Sequence, residues 1–277
     1  MELSQESQRP FAVITGASSG IGYELAKQFA QNGFDLLIAS NSEVILEAQD
    51  SLEEFGTDVE CMEVDLSTYI GVELLTDAIR SYQRPVEVLA INAGVGIGGD
   101  FTETNLREEI QLINLNNISA IHLTKNILKD MYANGFGKIL FTSSITAAMP
   151  APFEAVYGAS KAFVQSFAEA IRNEAKPHGV TVTILMPGPT NTNFFHRAHM
   201  DNTQVGSEGK FENDPAVVAK QAFQAVMAGT ESLYASSLKT KLQGWALKVL
   251  PDRFKASVHR KMSQPLVDEE TRPEQNH

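Results

Sequence analysis

The sequence is poor in several features, and each shortage excludes something. Among 277 residues there is one cysteine, Cys61, so no intrachain disulfide can form. That fits a reducing compartment, and a cytoplasmic protein is expected. Cys61 lies in a short apolar stretch and reads as a small core residue. Basic residues are also short: 22 Lys and Arg stand against 34 Asp and Glu, a formal charge of −12. Such a chain repels polyanions, so a nucleic-acid partner is not expected unless a local basic patch exists. No run approaches the ~18 apolar residues needed to span a bilayer. Met1–Pro10 is polar and lacks the apolar core of a secretory signal. There is no solenoid repeat and no low-complexity tract, and no metal site is expected.

What is present suits one globular unit. The hydrophobic fraction is 43%, ordinary for a packed core, and the length fits a single large α/β domain. From residue 11 onward, short apolar runs alternate with helical spacing. Strands are expected at 11–15, 36–39, 59–64, 86–91, 138–142, 180–186 and, more weakly, 233–235. Helices are expected at 20–32, 43–55, 68–82, 106–132, 156–176 and from Asp214-Pro215 to 227, the last opened by an Asp cap and a first-turn proline. Repeated βα alternation with near-continuous apolar strands implies a single doubly wound parallel sheet covered by helices on both faces. Three parts follow: a polar extension at 1–10, a main domain at 11–236 and a basic helical extension at 237–277 with a frayed end. Within the main domain, 190–213 is too long and too polar for a simple connection and reads as a lid over a ligand.

The first strand runs straight into Thr15-Gly16-Ala17-Ser18-Ser19-Gly20-Ile21-Gly22. Glycines let the backbone turn sharply and approach a ligand closely. The loop opens onto a helix N-terminus, whose free N–H groups and positive dipole end suit a pyrophosphate. The spacing is G-x-x-x-G-x-G rather than G-x-G-x-x-G, and it is the position in the first β-turn-α unit that carries the reading. Asp65, Asn92-Ala93-Gly94 and Pro187-Gly188 each follow an expected strand and belong on the same sheet edge. Asp65 is either a helix cap or a carboxylate accepting from an adenine amino group.

Tyr157 and Lys161 stand four apart on an expected helix, so phenol and ammonium share a face. A free phenol titrates near 10, and a cation held ~4–6 Å away lowers that value. Such a tyrosine can give a proton to a developing alkoxide or take one from an alcohol. The pair alone is weak, and packing on a helix face would explain it equally well. Ser144 strengthens it: it follows the fifth strand on the glycine-loop edge, where its hydroxyl can donate to a substrate carbonyl.

These residues together resemble the short-chain dehydrogenase/reductase family over roughly residues 10–236. The resemblance rests on TGASSGIG at 15–22, Asp65, NAG at 92–94, Asn116, the serines at 143–144, YGASK at 157–161 and PGPTNT at 187–192. It implies an oxidoreductase in which hydride passes between a nicotinamide and a carbonyl carbon. Tyr157 would be the general acid/base, Lys161 would tune it and hold the nicotinamide ribose, and Ser144 would polarise the carbonyl. Asn116 would hold a water in the proton relay; Asn114 and Asn117 compete for that place, and Thr124, eight residues beyond Asn116, selects it. Contacts to the dinucleotide are expected from Gly16, Ser18, Ser19, Gly20, Ile21, Gly22, Ser40, Asn41, Asp65, Leu66, Asn92, Ala93, Gly94, Tyr157, Lys161, Pro187, Gly188, Thr190 and Thr192.

The second strand ends in Ala39-Ser40-Asn41, without the acid that grips the ribose of NAD and without an obvious base for NADP. The missing carboxylate removes repulsion against a 2′-phosphate, so NADP is expected, with NAD as the alternative. Substrate contacts are expected from Ser144, Phe153, Tyr157 and Phe194, in a pocket walled also by Val95, Ile97, Met149, Met186 and Phe195. These mostly apolar walls suggest a medium-sized hydrophobic ketone, aldehyde or secondary alcohol. The resemblance also implies a homodimer or homotetramer through the helices at 106–132 and 156–176. In the tail, Leu238, Leu242, Trp245 and Val249 recur at helical spacing and read as packing against the domain, with membrane-surface contact as the lesser reading. Two other functions compete: a dinucleotide-binding sensor without turnover, disfavoured by the complete Asn116, Ser144, Tyr157 and Lys161 set, and a sugar-nucleotide lyase or epimerase, disfavoured by length and glycine spacing.

Overall fold

The computed structural model describes residues 9–207, 213–235 and 251–266. Seven parallel strands form one sheet: β1 (Phe11–Thr15), β2 (Asp35–Ser40), β3 (Val59–Glu63), β4 (Val88–Ile91), β5 (Gly137–Thr142), β6 (Val180–Pro187) and β7 (Ser232–Ala235), in the order β3-β2-β1-β4-β5-β6-β7. The chain builds outward from β1 to β3 and then crosses back to β4, so strand order reverses between β1 and β4. The loops after those two strands part there and leave a crevice at the carboxyl edge.

Alternation along the strands divides the interior into two cores. Val13 of β1 joins one cluster, while Ala12 and Ile14 join the other. The first is covered by α3 (Tyr69–Ser81), α5 (Ser119–Asn134) and α6 (Ala155–Ala175) through Leu75, Ile79, Leu123, Ile127 and Val164. The second is covered by α1 (Gly20–Gln31), α2 (Ile45–Glu53) and α9 (Pro215–Met227) through Leu25, Phe29, Leu52 and Val218. Buried on both faces, the central strands need no polar alternation, which is why they read as continuous apolar runs.

The long helix expected at 106–132 is present but interrupted. It consists of α4 (Leu106–Ile113), a π-helical turn over Asn114–Ile118 and then α5. The helix at 156–176 is α6, and a 3₁₀ turn holding Pro177 follows it. Asp214 caps α9 by accepting from the Ala216 N–H at 2.8 Å. The expected lid contains two short helices, α7 (Phe194–Arg197) and α8 (Gln204–Ser207), and its ends are pinned by a bridge between Thr190 and Asn213. A further helix, α10 (Asp252–Ser263), lies within the basic helical extension expected at 237–277. The Leu238–Val249 stripe lies outside the described residues. Among the described residues no helix is long and apolar enough to cross a membrane.

Candidate active site

A cavity of about 550 Å³ opens at the carboxyl edge of the sheet. It spans from the glycine loop to the Tyr157 and Lys161 side chains, and every residue assigned to the dinucleotide from sequence lines it.

The glycine loop is shaped by contacts that only hydrogen could fill. Gly16 holds a φ of +69°, and a Cβ there would lie 2.8 Å from the Ala93 Cα. A Cβ on Gly22 would overlap the Gly16 carbonyl oxygen. The loop therefore packs directly against the end of β4. Asn92 fixes that junction: its amide donates to the Thr15 carbonyl at 3.2 Å, and its Oδ1 accepts from the Thr142 hydroxyl at 3.1 Å. Asn92 thus ties together the ends of three strands rather than simply facing the cavity. Ser19 stands at the N-cap of α1 without capping it by its side chain, so the first-turn N–H groups remain free to meet an anion. At the far end of the loop the Ser18 and Ser40 hydroxyls lie 2.9 Å apart, beside Asn41. Asp65 accepts from the Ser67 N–H at 2.9 Å, the turn-forming role, while also lining the cavity.

Tyr157 and Lys161 project from the first turns of α6 and are 7% and 5% exposed. The Lys161 Nζ donates to the Thr142 carbonyl at 2.9 Å and lies 5.8 Å from the centre of the Tyr157 ring. Burial draws the Lys161 ammonium down to about 8. Burial pushes the Tyr157 phenol well above its ordinary value, and the Glu154 carboxylate pushes it further. A hydrogen bond with Ser144 opposes both. Desolvation of the buried ring is the largest of these influences, and it opposes the lowering expected of the phenol from the sequence. Ser144 accepts from the Thr146 N–H at 3.2 Å, which leaves its own proton free for the Tyr157 oxygen or for a ligand. Ser143 instead donates to the Lys161 carbonyl at 2.9 Å and anchors β5 to α6.

Asn116 sits in the π turn and is buried behind the cavity wall rather than on it. Its Oδ1 accepts from the Val95 N–H and its amide donates to the Val95 carbonyl, both at 3.0 Å, with a further bond to Ser160 at 3.0 Å. A Cβ on Gly94 would stand 3.1 Å from both the Asn116 Oδ1 and the Lys161 Nζ, so the glycine lets these polar tips converge. Asn117 bonds the Ser160 carbonyl at 2.9 Å and serves packing.

The pocket walls differ in part from expectation. Val95, Met149, Phe194 and Phe195 line the cavity, and the Phe194 ring lies 5.3 Å from the Tyr157 ring. Phe153, Ile97 and Met186 do not line it. Phe153, at a φ of +65°, has its ring under the Arg260 guanidinium at 5.3 Å instead. Met186 belongs to the core on the α5–α6 side of the sheet. Ile97 sits between Gly96 and Gly98, which pack against Phe194 and Met200 of the lid. In their place the wall includes Glu154 and, from α10, Lys255, Val258, His259, Met262 and Ser263. Nothing in sequence marked these: His259 meets the Pro152 carbonyl and Ser263 meets Glu154 across more than a hundred residues.

The sequence profile of the short chain dehydrogenases matches residues 10–203, well over half the chain. The chain belongs to the short-chain dehydrogenase family. It is an NAD(P)-dependent oxidoreductase acting on a CH–OH or C=O group. Among its relatives, the 3-ketodihydrosphingosine reductase of Bos taurus is 28% identical over 226 residues, covering 78% of this chain and 68% of that one. The very-long-chain 3-oxoacyl-CoA reductase of Eremothecium gossypii is 33% identical over 190 residues, covering 64% of this chain and 53% of that enzyme. A short-chain dehydrogenase from Sphingobium yanoikuyae, solved in complex with NADPH, superposes with a TM-score of 0.78 at 25% identity, covering 94% of this chain and 99% of its own.

Proposed function

We propose that this protein is an NADPH-dependent ketone reductase in which Tyr157 delivers the proton. The observation that carries the reading is the convergence of Ser144, Tyr157 and Lys161 on the same cavity as the glycine loop, where a protonated phenol can donate to a developing alkoxide. Ser144 would orient and polarise the carbonyl oxygen. Lys161, fixed by the Thr142 carbonyl, would hold ribose hydroxyls and supply positive charge as the alkoxide forms. Asn116 would set the position of the Val95 backbone rather than touch the substrate.

The residues suit a dinucleotide. Gly16, Gly20 and Gly22 and the uncapped N-terminus of α1 would take the pyrophosphate, with Thr192 closing over Gly20. Ser18, Ser40 and Asn41 present polar groups and no carboxylate where a 2′-phosphate would sit, which supports NADP over NAD. The NADPH in the Sphingobium relative supports the same choice. The bound nicotinamide supplies the hydride; the chain supplies orientation, exclusion of water and the proton. The aromatic and aliphatic walls favour a hydrophobic ketone, and two relatives are named for reducing a 3-keto or 3-oxo group. A homodimer through α4, α5 and α6 is part of this reading: Leu106, Ile110 and Phe163 expose apolar side chains there. The test is a panel of ketones, aldehydes and alcohols with NADPH and NADH, followed by cofactor absorbance. NADPH-dependent reduction of apolar ketones is expected; preference for NADH, or turnover of alcohols alone, would overturn it.

A further inference from the structure

Three buried polar side chains meet where α10 crosses the entrance to α6. His259, Glu154 and Ser263 are 2%, 4% and 2% exposed. The His259 Nδ1 lies 3.1 Å from the Pro152 carbonyl, which can only accept, so Nδ1 carries a proton. The other ring nitrogen, Nε2, lies 3.2 Å from the Glu154 Oε2, which also accepts from the Ser263 hydroxyl at 2.9 Å. A bond between Nε2 and the carboxylate then needs one further proton shared by the two. The imidazole thus joins the 152–154 backbone and the Glu154 side chain to a helix more than a hundred residues away in sequence.

Other contacts on α10 point the same way. The Lys255 Nζ, paired with Asp252 at 3.1 Å, reaches the Ala148 carbonyl at 3.3 Å. Arg260 covers the Phe153 ring. Just past the helix, Pro265 bridges Thr203 and the Leu266 N–H donates to the Asn202 carbonyl at 2.7 Å. The helix therefore spans the two walls that flank Tyr157, the 145–154 loop and the lid, and turns Val258 and Met262 into the cavity between them. Apolar contacts would bury α10 equally well. Buried polar groups satisfied on every side fix one register instead, because a shifted helix would leave a buried carboxylate without partners.

We propose that α10 is the substrate-selecting wall of this site and that His259, acting through Glu154 and the Pro152 carbonyl, is the positioning residue that sets it. This rests on the reading of the cavity as a ketone reductase site. A displaced α10 would cost affinity for a substrate long enough to reach Val258 and Met262, and would leave a short one and the dinucleotide untouched.

His259→Ala and Glu154→Gln are the variants, with His259→Gln, which keeps one donor, replacing the alanine if that fails to fold. NADPH binding by thermal shift shows that the dinucleotide half is intact. Amide exchange of 252–263 and 148–154 reads the latch without any turnover. His259→Ala is expected to speed exchange in both segments and leave 16–22 unchanged. In Glu154→Gln an amide N–H can meet Nε2 only if Ser263, which shares the same carboxylate oxygen, turns from donor to acceptor, so exchange is expected to rise less than in His259→Ala. With NADPH, His259→Ala should raise KM for a long-chain 3-oxo ester about ten-fold or more, and KM for ethyl acetoacetate less than about two-fold. Unchanged exchange in 252–263, or equal KM changes for the two esters, would overturn the proposal. If the wild type reduces neither ester, the reductase reading fails and exchange alone decides the latch.

Discussion

Lys161 is the residue whose environment has the most direct thermodynamic consequence. Its ammonium is drawn by burial to about 8 from 10.5, so the folded protein gives up that proton before the unfolded chain does. A group depressed in this way costs stability wherever it must be carried charged. The cost is full below pH 8, on the order of 3 kcal/mol, and it disappears as pH rises toward 10.5. The wild type is therefore expected to gain stability between pH 8 and 10 in denaturant melts, and Lys161→Met to lose that gain, whatever its absolute stability. Parallel slopes for the two proteins would count against this account. That Tyr157, Lys161 and Ser144 line one cavity was legible only with the family resemblance, since their spacing alone fits a packing pair equally well. Phe153 and Met186 could not be excluded. The Arg260 contact of Phe153 and the two-sided burial of β6 account for where those side chains lie, and neither leaves a trace in composition.

Elements were readable where one period dominated. The seven strands, α1, α6 and α9 follow from apolar runs, from periodicity and from the Asp214 cap. The π turn at Asn114–Ile118 was not readable, since one extra residue in a helical turn does not alter the surrounding polar and apolar pattern. Yet that turn brings Asn116 against the Val95 backbone. A helix was expected in the basic extension, but the place of α10 in the cavity wall was not readable: it packs across the lid and the 148–154 loop, so its partners are distant in sequence. Packing between elements also makes the lid testable. A methyl group on Gly96 would run into the Phe194 ring. Gly96→Ala should push α7 away from the cavity, raising ketone KM about ten-fold while leaving NADPH affinity within about two-fold in a titration. A loss of NADPH affinity as large as that of ketone would show that the lid and the dinucleotide site are not separable.

At the scale of the whole molecule, one sheet edge gathers groups from across the chain. The reversal of strand order between β1 and β4 opens the crevice, the glycine loop and the uncapped α1 lie on one side, and Ser144, Tyr157 and Lys161 lie on the other. The acidic charge and single cysteine set only what surrounds this site. The lid and α10 line the reacting end, and the reductase reading rests on the meeting of Ser144, Tyr157 and Lys161 there and on relatives named as reductases. Tyr157→Phe removes one oxygen and nothing else from that arrangement. The decisive measurement compares wild type and Tyr157→Phe in NADPH binding and in NADPH oxidation with the best ketone of the panel. The account predicts unchanged binding and a fall in kcat of about 10²–10⁴. A variant that oxidised NADPH with the same ketone at the wild-type rate would contradict it.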